Sequence, residues 1–287
     1  VLTKLNQVAG AMTDNMIGNA DDRWVFTEDN PSRELSTAAA LAAVSRVLKG
    51  FNDTLSVQSL QAARELFDRT HVTDRSEINK LQAAVELYLA TREDGYKKYI
   101  LGQQKLIVDN IARTGWFIGR ADQAIKDKKF TENIRKALAA FRLELEEQKK
   151  ETPYGVPYKP SIWGAGWDIQ SFVYQQYFLV QSSPDLFGPE LLYSALNFVL
   201  GCHPGSNTAS FASGVGANSA TVAYGLNRAD WSYIPGGVIS GTAMIRPDFP
   251  ELLTFPFLWQ QTEYVMGGGS SHYMFLVLAA RQLLENK

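Results

Sequence analysis

Residues 76–95 read S-E-I-N-K-L-Q-A-A-V-E-L-Y-L-A-T-R-E-D-G, and the fold turns on them. Ser76 is an N-cap type. Ile78, Leu81, Ala84, Val85, Tyr88 and Leu89 recur at the spacing of one helical face, and Asp94-Gly95 ends the run. A helix over 76–92 must bury that face on neighbours, and the flanking sequence supplies helices. Upstream, Ser36-Thr37 opens an alanine-rich helix to about 49, closed by Gly50, and Ser56 opens another to about 69. Downstream, helices are expected near 96–113, 120–128 and 131–149, the last with Thr131 as N-cap and a lysine-rich end that suits the helix dipole. The prolines of T-P-Y-G-V-P-Y-K-P-S at 152–161 forbid helix there. Helices resume near 166–182, 188–201, 254–265 and 272–285, with Gly267-Gly268-Gly269-Ser270-Ser271 between the last two. Residues 202–250 are rich in Gly, Ser, Asn and Pro and read as an irregular, functional loop system broken by short strands.

Helix after helix predicts an all-α chain of antiparallel pairs in series. That is an α/α toroid, in which inner helices carry the apolar faces and loops at one rim build the site. About eight or nine helices are countable. Of the 58 charged residues, 45 precede Pro153, whereas 22 of the 33 aromatic residues follow Thr152. This divides a single domain, 1–287, into two characters: scaffold helices over 1–152 and cleft-forming helices and loops over 153–287.

Composition removes several functions. A formal charge of −2 gives no basic surface for nucleic acid, so no nucleic-acid partner is expected. No apolar run approaches the roughly 18–20 residues that span a bilayer, and Val1-Leu2-Thr3-Lys4 has no basic stretch followed by an apolar one. The single cysteine, Cys202, cannot form an internal disulfide and leaves the compartment open. His71, His203 and His272 lie in unrelated segments without metal-ligand spacing, so no metal site is predicted. Gly214-Val215-Gly216 lacks the strand and glycine spacing of a dinucleotide loop.

Glycine-rich loops, aromatic side chains and a carboxylate between apolar helices describe a sugar cleft. Sugars are held by hydrogen bonds to hydroxyls and by ring faces packed on aromatic planes. Trp163, Trp167, Tyr224 and Trp231 lie on or beside predicted loops. Asp168, beside Trp163, Trp167 and Gln170 at a helix start, is better placed to meet a hydroxyl than Asp230 or Asp248, which sit near Arg228 and Arg246. His272 follows the glycine run and is expected to line the cleft. Glu263 ends F-P-F-L-W-Q-Q-T-E, an apolar helix containing Trp259, where poor solvation would raise its pKa toward that of a general acid.

These residues carry a resemblance to the catalytic domain of glycoside hydrolase family 9. That family pairs L-G-x-N-P-x-x-x-S-(F/Y)-V-x-G-(F/Y)-G with G-x-L-V-G-G-P and a final carboxylate in Q-T-E. The matching stretches are Leu200–Gly216, Gly236–Thr242 and Gln261-Thr262-Glu263. Val1–Leu5 is similar to the family's V-Y-H-K-(V/L), and Leu35–Ala40 to its V-S-T-x-A-T-A. The resemblance implies an (α/α)6 barrel of the six-hairpin glycosidase type and an extracellular or periplasmic β-glycan hydrolase. It further implies an inverting mechanism with Glu263 as general acid. It implies that the first helices are absent from this chain, with the missing segment, a separate chain among the options, supplying the base of the family's D-A-G-D-Y motif. An oligo- or polysaccharide is the expected partner. The family's P-x-H-P-H-H-R segment corresponds to Ser219–Arg228, where Tyr224, Asn227 and Arg228 stand in for the lost histidines. An alternative alignment on Tyr264-Val265 puts Gly268 at the acid position. A structural calcium is compatible with the family, and no ligand motif here supports one. Two other readings stay open: an α/α-toroid polysaccharide lyase acting on a uronic acid, and a glycan-binding remnant without turnover.

Overall fold

The computed structural model describes residues 29–151, 155–157, 165–202, 209–216, 218–219, 222–223, 235–238, 263–264 and 268–285. Among them are ten helices and four two-residue strands, and the chain divides into two compact units, Val1–Gly102 and Gln103–Lys287. The two helices expected over 96–113 and 120–128 are replaced by three, and residues 254–262 of another expected helix lie outside the described residues.

In the first unit α1 spans Pro31–Leu48, α2 Asp53–Arg69, α3 Glu77–Thr91 and α4 Asp94–Gly102. Helix α1 starts five residues before the expected Ser36, because Asn30 caps Arg33 N at 3.0 Å and Pro31 takes the first helical position. Helix α2 likewise starts before Ser56, at a cap in which Asn52 accepts from Leu55 N at 3.1 Å. Ser56 is instead buried and donates to Ser45 O at 2.6 Å. That contact and Thr70 Oγ1 on Glu34 at 2.7 Å set α2 antiparallel to α1. Asn79 on Ser36 at 2.8 Å and Arg46 on the Glu86 carbonyl at 2.9 Å set α3 parallel to α1. Leu81, Ala83, Ala84, Val85 and Leu87 have no exposed surface, so α3 is buried on more than the single face its periodicity predicts.

The second unit holds α5 (Gln104–Asp109), α6 (Ile111–Ile125), α7 (Lys128–Glu151), α8 (Ala165–Ser182), α9 (Glu190–Val199) and α10 (Gly268–Glu285). The single helix expected over 96–113 is divided: Asn110 turns its amide onto Leu106 O at 3.0 Å and ends α5. Thr131 is not an N-cap. Asp127 takes that role, accepting from Phe130 N at 2.9 Å, while Thr131 donates to Asp122 at 2.7 Å.

Ring contacts fix the helix directions. Trp116 of α6 meets Tyr174 of α8 edge-on at 5.1 Å, and a methyl on Gly119 would lie 2.8 Å from Ser182 Cβ, so α6 and α8 run the same way. Trp167 lies against Gly269, Tyr174 stacks on His272 at 5.2 Å, and Tyr177 donates to Gln282 at 2.7 Å, so α10 runs with them. Helix α7 returns antiparallel to α6, with Leu138 against Gly115 and Thr131 on Asp122. Alternate helices are therefore parallel in each unit, which is the arrangement of helical hairpins laid in series. Val156, Ile169, Val173, Leu192, Phe198, Phe211, Leu276 and Ala280 form the apolar core shared by α8, α9, α10 and the loops.

The four strands pair as β1 (Ala209–Ser210) with β2 (Asn218–Ser219) and β3 (Val222–Ala223) with β4 (Glu263–Tyr264), both parallel. Glu263 thus stands in a strand, opposite Val222, and not at the end of a helix. Tyr264 and Val265 favour extended backbone, and a short apolar run cannot be told from a buried helix by periodicity alone.

Candidate functional site

The first turns of α8 and α10 lie side by side. Gly269 is needed there, because a Cβ would fall 2.7 Å from Val238 Cγ1 and 3.1 Å from Trp167 Nε1. Trp167 is half-buried at this contact, and Asp168, the next residue of the same turn, is exposed. Val238 belongs to the Gly236–Thr242 motif and bridges Ala212 of the Leu200–Gly216 motif. Ser213 N donates to Gly237 O at 2.9 Å and Gly236 N to Ser213 O at 3.2 Å, lacing the two loops together. Gly216 has φ +81°, and an added Cβ would lie 2.8 Å from Ser210 Cβ. Two motifs separated by nineteen residues in sequence thus form one loop cluster against the starts of two parallel helices.

Glu263 pairs through its backbone with Val222 of β3. Four residues lie between it and Gly268, so the two Cα atoms are at most about 18 Å apart. Gly268 itself is the first residue of α10 and offers no carboxylate.

His272 lies one turn into α10 with its imidazole flat on Tyr174, at an interplanar angle of 8°. Burial lowers its pKa, keeping it neutral at pH 7, and burial also raises the Tyr174 phenol. A neutral imidazole edge carries one N–H donor and one acceptor, which matches a sugar hydroxyl. Trp116, Phe178 and Phe275 surround Tyr174 and Tyr177, making an aromatic layer of α6, α8 and α10.

Trp167, Asp168 and His272 are therefore brought to the neighbouring first turns of α8 and α10. Trp163, Tyr224, Asn227, Arg228, Trp231 and Trp259 lie outside the described residues, as do His203, Asp230 and Asp248. The sequence reading missed Tyr174, which falls seven residues after Trp167 on the same helical face, a signal present in the periodicity. It also missed Trp116, whose segment carries no such signal. Among the described residues no group of three or more His, Cys, Asp or Glu could hold a metal ion. No described helix is long and apolar enough to cross a membrane.

The model of glycosyl hydrolase family 9 matches residues 8–226, well over half of the chain. The chain belongs to glycosyl hydrolase family 9. The match ends before Glu263. No curated protein matches the chain. Family 9 structures share its fold. A single mutant of a thermostable endoglucanase from Alicyclobacillus acidocaldarius superposes with TM-score 0.72 at 15% identity, over 91% of this chain and 57% of that chain. The endoglucanase of the termite Nasutitermes takasagoensis gives 0.63 at 16% identity, over 89% and 66%. A cellulase of C. cellulolyticium in complex with cellobiose gives 0.64 at 15% identity, over 91% and 66%. The fold is the α/α barrel of family 9, and the chain spans between about half and two thirds of the length of these structures.

Proposed function

We propose that this family 9 chain serves the hydrolysis of a β-linked glucan outside the cell, where polymeric glycans lie. The single observation that carries the reading is the family match over residues 8–226. The endoglucanase and cellulase neighbours, one of them holding cellobiose, agree with it. In this proposal Glu263 protonates the leaving oxygen, and an aspartate from outside residues 1–287 activates water on the opposite face of the sugar. Inversion requires the two carboxyl groups to stand roughly 6.5–9.5 Å apart, leaving room for that water. The D-A-G-D-Y motif is missing from all 287 residues, which is the reason for seeking the base elsewhere. Trp167 would offer its ring face to a sugar, and Asp168 and neutral His272 would bond hydroxyls, with Trp163, Tyr224, Asn227, Arg228, Trp231 and Trp259 completing the cleft.

The test is release of reducing ends from β-glucan by the native protein and its Glu263→Gln variant, with the product anomer read by NMR. The amide keeps the volume and cannot donate the proton, so kcat should fall by about 10³-fold with KM little changed. Full activity in the variant would move the acid elsewhere. An unsaturated product would make the enzyme a lyase, and a wild type that binds glucan without cutting it would make it a binding remnant.

A further inference from the structure

Gln170 is fully buried, yet among the described residues neither its Oε1 nor its Nε2 has a hydrogen-bond partner. An amide shut away unpaired loses its hydration without a replacement bond, so a chain selected for stability alone would carry Leu or Met there. The position is one turn after Trp167 and one turn before Tyr174, on the α8 face whose rings lie against Gly269 and His272 of α10. Side chains on a helix lean toward its N-terminus, which carries the Gln170 amide back toward the level of Trp167, where α8 and α10 start together. We propose that Gln170 is a glycan-positioning residue of this chain: Trp167 and Gln170 form one saccharide subsite, the ring taking the C–H face and the amide taking a hydroxyl. The chemistry is matched, since an amide offers both N–H donors and a carbonyl acceptor, and a hydroxyl likewise both donates and accepts. Neutral glucose units suit it better than a uronate, because a carboxylate would leave the amide oxygen facing negative charge. With no exposed surface on Gln170, engagement requires the half-buried Trp167 ring to shift. The unpaired amide is then the cost of a site held ready for its ligand.

This inference rests on the β-glucan reading, and the experiment separates the two. Cellotetraose binding is measured by calorimetry, and KM and kcat on the native protein, for wild type, Gln170→Leu and Gln170→Met. Thermal unfolding is recorded without ligand. Removal of the amide should leave Tm equal or higher, weaken cellotetraose and raise KM about tenfold, and keep kcat within about twofold. A lowered Tm in both variants would mean that the amide is paired in the native protein and would overturn the proposal. An equal or raised Tm with unchanged affinity would reduce Gln170 to packing and overturn it while leaving the hydrolase reading intact. A wild type that neither binds nor cuts glucan overturns both.

Discussion

The α1–α3 scaffold and the adjoining starts of α8 and α10 differ in how they hold Glu86 and Lys80 on one side and Gln170 on the other. In the scaffold, Glu86 is buried and held by Arg46 at 2.5 Å, with a second guanidinium nitrogen on the Glu86 carbonyl. Lys80 is buried too, but its ammonium bonds Phe67 O at the end of α2 and lies 3.7 Å from the centre of the Phe67 ring. Burial lowers the Lys80 pKa, and the nearby Asp68 carboxylate offsets part of that penalty. At the other region Gln170 is buried with both amide atoms unpaired, and α10 opens on Gly268-Gly269-Ser270-Ser271 with no acidic residue in its first turn. The two buried charges of the scaffold thus meet partners within the fold, whereas the Gln170 amide is left for the ligand proposed above.

The comparison breaks most visibly if the scaffold is cut at its ion pair. Arg46→Ala removes the ion-pair partner of Glu86, whose side chain is 4% exposed, and should cost about 3 kcal/mol in urea unfolding, with KM for cellotetraose within about twofold of wild type. A loss below about 0.5 kcal/mol would make the pair ornamental, and a raised KM would make the scaffold part of the site. Gly269→Ala sharpens the contrast from the other side. Its new methyl meets Val238 and Trp167, and the strain should lower stability by about 1–3 kcal/mol and also weaken cellotetraose binding, since Trp167 must move. Equal stability loss with intact binding would remove Trp167 from the site.

The two regions also differ in how far the sequence discloses them. Helices α3, α7 and α8 are legible from apolar spacing, as at Ile78–Leu89, and α7 also from its lysine-rich end Lys149-Lys150. Asp94-Gly95, read as the end of α3, instead opens α4 after Arg92 has closed α3 at φ 64°. Helix starts were missed wherever Ser or Thr stood inside a helix that a better cap began earlier, as with Ser36 after Asn30 and Thr131 after Asp127. In the loop cluster, Leu200–Gly216 and Gly236–Thr242 could be paired from family motifs alone, and the bridge Ala212 to Val238 joins them. The strand at Glu263 was illegible because its partner, Val222, stands forty-one residues away, and two residues have no period. The lack of a partner for Gln170 could not have been read at all, since a buried glutamine and a solvated one look alike in sequence.

His272 gives the smallest effect and the finest comparison. Its pKa is depressed by burial against Tyr174, so between the folded value and the unfolded value near 6.5 the unfolded chain binds a proton that the folded chain refuses. Stability from this residue is therefore full above about pH 6.5 and is lost as pH falls through the folded pKa. His272→Gln, which keeps a polar edge and cannot titrate, should flatten the slope of Tm against pH in that window while leaving Tm at pH 8 within a few degrees. The same variant should weaken cellotetraose if the imidazole edge bonds a hydroxyl. A flattened slope with unchanged binding would assign His272 to the aromatic layer alone. An unchanged slope would mean that the stacked imidazole accepts its proton as easily as the unfolded chain does, and the cation-on-ring attraction of Tyr174 would then outweigh the loss of water.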